Sequence, residues 1–175
     1  MGEFKNYIAE KHIAFLSRLK SKSISDLIQS HNKYIRYALK QLGEFKSITE
    51  NRNKIIKTKD DFINLVHNTL YMINQLHYDV NRENITINQL NEIQSLCGEY
   101  QNVVEEMYSI STFFGNAKEI QDALNVLMRK NKEQPVPNLN GGDGHYGTSS
   151  GMLGALDAIR LLANARIDKI IRKRK

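Results

Sequence analysis

The sequence predicts an all-α chain: a helical bundle of four to five helices with long heptad-patterned helices, plus a tethered C-terminal amphipathic helix. Three observations predict it. Apolar residues recur at spacings of three and four over most of residues 1–130. Both prolines fall in one short stretch, so little else in the chain obstructs long helices. That stretch also holds four of the ten glycines and separates a last, basic segment from the rest. The expected organisation is a bundle over 1–130, a Pro/Gly-rich linker over 131–150 and a basic amphipathic helix over 151–175.

A first helix is expected over 3–21, where Phe4, Ile8, His12, Phe15 and Leu19 form one stripe. Ser23, with Asp26 three residues on, resembles a capping box for a second helix. That helix carries Leu27, His31, Tyr34, Ala38, Leu42 and Phe45 on one face. Residues 47–57 are basic and polar with little periodicity, so they read as a loop or a frayed extension. Thr58 before Asp60 and Asp61 reads as the N-cap of a third helix, with carboxylates suited to the positive end of its dipole. Phe62, Val66, Thr69, Ile73, Leu76 and Val80 then repeat at four and three. Asn81 to Asn84 reads as a turn, and Thr86 with Gln89 as a second capping box.

The next helix has the strongest signal. Leu90, Ile93, Cys97, Tyr100, Val104, Met107, Ser111 and Phe114 follow heptad spacing. Gly98 interrupts the helix and is expected to permit close approach of a neighbour. Gly115 ends it, and Asn116 with Glu119 restarts a short helix carrying Ala117, Ile120, Ala123, Leu124 and Leu127. In the last segment Leu153, Leu156, Ile159, Ala163, Ile167 and Ile170 line one face.

Net charge is +6, unevenly placed. Residues 1–59 carry +8, residues 60–128 carry −8, residues 129–150 carry +1 and residues 151–175 carry +5. The basic third and the acidic middle match in size, which favours packing against each other over two separate partner faces. One cysteine, Cys97, excludes an intrachain disulfide and sits on an apolar heptad position, so an inert buried thiol is expected. The first residues lack an apolar leader core, and no run approaches the roughly 18 apolar residues of a membrane span.

Nothing in the sequence points to catalysis or to a cofactor. Of the histidines, His12 and His31 lie on apolar stripes, where a hydrogen-bonded interior role is the ordinary one. His67 and His77 are three turns apart, too far to share a metal. The Gly141–Gly147 stretch precedes a helix start but has no preceding strand and no Gly-Lys-Ser ending, so it reads as linker and N-cap.

The expected function is therefore non-enzymatic: a structural, assembly or adaptor protein acting through helix-mediated protein–protein contacts, as a subunit of a larger oligomer. A phage scaffold or virion component would fit such a plan, with a location in the cytoplasm or in a virion. The tail either folds back on the chain's own acidic middle or offers a partner-binding surface, expected at Leu153, Leu156, Ile159, Arg160, Arg166, Ile167, Lys169, Ile170, Arg172, Lys173, Arg174 and Lys175. An oligomer or core seam is expected at Leu90, Ile93, Cys97, Tyr100, Val104, Met107 and Phe114. The alternative is nucleic-acid binding through the tail and Lys33, Arg36, Lys40, Arg52, Lys54 and Lys57. Membrane binding is disfavoured, because the tail stripe includes alanine and lacks large aromatic anchors.

Overall fold

The structure, a computed structural model, describes residues 23–130 and 149–174. The helix expected over 3–21, most of the 131–150 linker and Lys175 lie outside the described residues. Within them every regular element is an α-helix: α1 (Ile24–Ser47), α2 (Arg52–Asp79), α3 (Ile87–Ser111), α4 (Ala117–Lys130) and α5 (Ser149–Lys173).

Local chemistry sets the helix ends. The Ser23 side chain accepts from the Asp26 amide at 3.1 Å and starts α1. Thr86 and Gln89 form a reciprocal capping box at α3, satisfying two otherwise orphaned amides. Asn116 and Glu119 do the same at α4. The start of α2 departs from the expectation at Thr58. Asn51 is the N-cap, accepting from the Lys54 amide at 3.1 Å, and the basic stretch from Arg52 is already helical. Thr58 instead donates its hydroxyl back to the Lys54 carbonyl at 2.7 Å, in the helix interior. The connection from Asn81 to Thr86 includes Asn84 at φ 60°, a left-handed conformation that Asn tolerates well.

The helices share one hydrophobic core. Cross-helix pairs give their directions. Gln89 meets Ser25, Tyr100 meets His31 and Phe114 meets Phe45, so α1 and α3 run the same way. Asp79 meets His31 while Phe62 meets Phe45, so α2 runs opposite to α1. Helix α2 is the most enclosed, with Phe62, Leu65, Thr69, Ile73 and Leu76 fully buried and polar Asn68, Gln75 and Asp79 buried beside them. One end of the core is closed by three phenylalanines, with Phe62 and Phe114 stacked at 4.4 Å and Phe45 edge-on to both.

The tail is not a detached helix. α5 packs most extensively on α3 and next on α2, antiparallel to α3. Met152, Ala155, Leu156, Ile159 and Ala163 are buried on that inner face. Burying Leu156 and Ile159 stabilises the docked helix by about 1.5–3 kcal/mol each. That outweighs any long-range attraction from its surface charges. Sequence periodicity identifies an apolar face but not what covers it, which is why a tether and a docked helix read alike.

Gly98 also departs from expectation. A Cβ placed there would meet nothing within 4 Å, so no neighbouring helix requires the glycine.

Candidate functional site

Two features stand out from the packing: a buried polar cluster and an apolar cavity at one corner.

The cluster joins α1, α2 and α3. His31 is 2% exposed, with Nε2 2.8 Å from Asp79 Oδ2 and Nδ1 2.6 Å from the Tyr100 hydroxyl. A carboxylate only accepts, so Nε2 carries the proton and donates to Asp79. In the neutral ring Nδ1 then accepts from Tyr100. Beside it the Tyr34 hydroxyl meets Thr69 Oγ1 at 2.7 Å, and the Thr69 hydroxyl donates a hydrogen bond to the Leu65 carbonyl at 2.9 Å. Burial pushes both Tyr34 and Tyr100 well above the usual phenol range; the Thr69 hydrogen bond partly offsets this for Tyr34. Buried between three helices, this hydrogen-bonded chain fixes their register.

Asp79 is the partner that the sequence reading missed. It had a legible signal: a carboxylate in the last turn of α2 opposes the helix dipole and requires compensation from elsewhere. Further support comes from α5, where Arg166 donates to the Val80 carbonyl at 2.9 Å and to the Arg82 carbonyl at 2.6 Å. Arg160 donates to Gln101 Oε1 at 2.7 Å and to Asp157 at 2.9 Å.

These contacts divide the expected tail surface. Leu156 and Ile159 are core; Leu153, Ile167 and Ile170 are half-buried against it; Arg160 and Arg166 hold α5 in place. Among the described residues of that surface, Lys169, Arg172, Lys173 and Arg174 remain exposed, joined by Ile171 at 42% exposure. The expected seam on α3 is likewise internal. Leu90, Ile93, Cys97, Tyr100, Val104, Met107 and Phe114 are all buried within the one chain, so they present no surface to a second copy. Burial pushes the Cys97 thiol up to about 12, with nearby Arg160 opposing and Asp157 adding to the shift. Lys33, Arg36 and Lys40 are exposed along one stripe of α1, and Arg52, Lys54 and Lys57 are exposed on the opening turns of α2.

The corner cavity lies where α4, packed on α2, diverges from α3. Its volume is about 180 Å³, and Phe62, Val66, Val104, Met107, Ile120 and Met152 form its apolar walls. Tyr108, 64% exposed, stands at its mouth, and Phe113, 51% exposed, lies just beyond on the chain. Sequence reading passed over both aromatics because they fall off the buried stripe of α3, yet an off-stripe aromatic is itself a surface signal.

Among the described residues no group of three His, Cys, Asp or Glu side chains is placed to hold a metal ion, and no helix is long and apolar enough to cross a membrane. Comparison with family models, curated proteins and solved structures finds no match to this chain.

Proposed function

We propose that this chain is a non-enzymatic assembly subunit that associates with further copies of itself through its two ends. The observation that carries this reading is the division of α5. Its inner face is used up within the chain, yet Ile171, Arg172, Lys173 and Arg174 stay exposed at the end of the helix. The opposite end of the helical pack carries the exposed Tyr108 and the corner cavity. A molecule with a basic end and an aromatic, apolar corner is suited to head-to-tail contacts between identical subunits. The cationic end supplies orientation and salt sensitivity; the apolar groups supply affinity.

Sedimentation velocity over a range of protein concentrations tests the proposal. Mass should rise with concentration and fall back at high salt. A monomer at every concentration and salt would overturn it.

A second reading, nucleic-acid binding, is favoured by the exposed Lys33, Arg36 and Lys40 stripe. Phosphate contacts would make affinity fall steeply with salt. Failure to retain labelled single-stranded or duplex nucleic acid at low salt discards this reading.

A further inference from the structure

The corner cavity invites one specific occupant. Apolar cavities of about 150 Å³ take up a benzene-sized molecule, so a volume of about 180 Å³ has room for one large aliphatic or aromatic side chain. The surroundings of its mouth favour a cationic carrier for that side chain. Next to the mouth α3 exposes Glu105 and Glu106, and the helix contains no Lys or Arg. Glu105 lies one turn before Tyr108 on the same side of the helix. Glu119 stands against Gly115 at the rim, its carboxylate 3.4 Å from the Lys59 ammonium.

The chain itself supplies a segment of matching chemistry. Ile171 is exposed, with Lys169 before it and Arg172, Lys173 and Arg174 after it. It has no access to the cavity of its own chain. Met152 lines that cavity, and Ile171 sits 19 residues further along the same continuous helix. At 1.5 Å per residue the two are about 28 Å apart.

We propose that Ile171 of one copy enters the corner cavity of the next copy, with its flanking cations facing Glu105 and Glu106. This rests on the self-assembly reading and names the contact that reading requires. The two faces are different surfaces of one chain, so the contact is heterologous. Copies add head to tail and close into a ring or extend as a filament. Tyr108 then serves as an aromatic wall that shields the seated side chain from water, as contacts around a binding hot spot do.

Cross-linking tests the pairing. Ser111→Cys, at the cavity mouth, and Ile171→Cys are made as two separate proteins and mixed at low salt under mild oxidation. Asn102→Cys, exposed elsewhere on α3, replaces Ser111→Cys in the control. The expected result is a mixed disulfide dimer of the first pair forming at least about tenfold faster than in the control. In parallel, Ile171→Asp should weaken wild-type self-association by about tenfold or more, the loss typical of one anchoring side chain. Because Ile171 is exposed, helix content should be unchanged. If the chain self-associates but the first pair links no faster than the control, the cavity contact is wrong and the assembly reading stands. If the wild-type chain never self-associates, both fall.

Discussion

His31 and Asp79, 48 residues apart in sequence, meet at 2.8 Å with each side chain only 3% exposed. The contact ties the middle of α1 to the end of α2, and Tyr100 extends it to α3. Truncating one partner leaves the other buried without its hydrogen bond, at a cost of about 1–3 kcal/mol. Asp79→Ala should therefore lower unfolding stability by about that much. A His31→Leu, Tyr100→Phe double-mutant cycle should show coupling of about 0.5–3 kcal/mol in urea unfolding. Full additivity would mean that His31 and Tyr100 do not act as a unit.

High pH should expose the buried phenols. Tyr34 and Tyr100 are raised above their unfolded value of about 10 because burial disfavours the phenolate. The stability linked to them is fully present below pH 10. It is lost as pH rises above that, because the unfolded chain releases protons that the folded one retains. Ultraviolet titration should show their ionisation only together with loss of helix signal. Two phenols titrating freely in a still-folded chain would contradict their placement.

Cys97 should be inert in the folded protein. With its thiol raised to about 12 by burial, the thiolate is scarce near neutral pH. Labelling by a thiol reagent at pH 8 should follow the unfolding rate. Rapid labelling under native conditions would place Cys97 at the surface.

Gly98→Ala should stabilise the chain by about 0.5–1 kcal/mol. The position is interior to α3, the added methyl meets open space, and alanine costs less backbone entropy than glycine in a helix. Destabilisation in thermal or urea unfolding would show a close approach that the structure does not contain.

Much of this fold was legible because helices write themselves in local spacing. The α3 row from Leu90 to Phe114 is readable from periodicity, and its apolar members are buried. Thr86 with Gln89 is readable from three-residue spacing alone. Other features depend on distant residues. Asp79 satisfies His31 only after two helices fold together. The Arg166 guanidinium reaches carbonyls 84 and 86 positions away. The start of α2 is hard to place from spacing because the Asn51 cap precedes basic, non-periodic residues that lie beyond the core. The cavity was illegible for a related reason: it is a gap left by the divergence of α4 from α3, and no single stretch of sequence encodes it.

Identical chains, as proposed, join through the basic end of α5 and the apolar corner flanked by Glu105 and Glu106. Two charge-reversed proteins test this contact most directly: Arg172→Glu with Arg174→Glu, and Glu105→Lys with Glu106→Lys, all exposed positions. Sedimentation should show each pure variant shifted towards monomer and their equimolar mixture restored to the association of the wild-type chain, with the two variants alternating. A mixture that sediments as the average of its components, beside a wild-type chain that still associates, would contradict the claim.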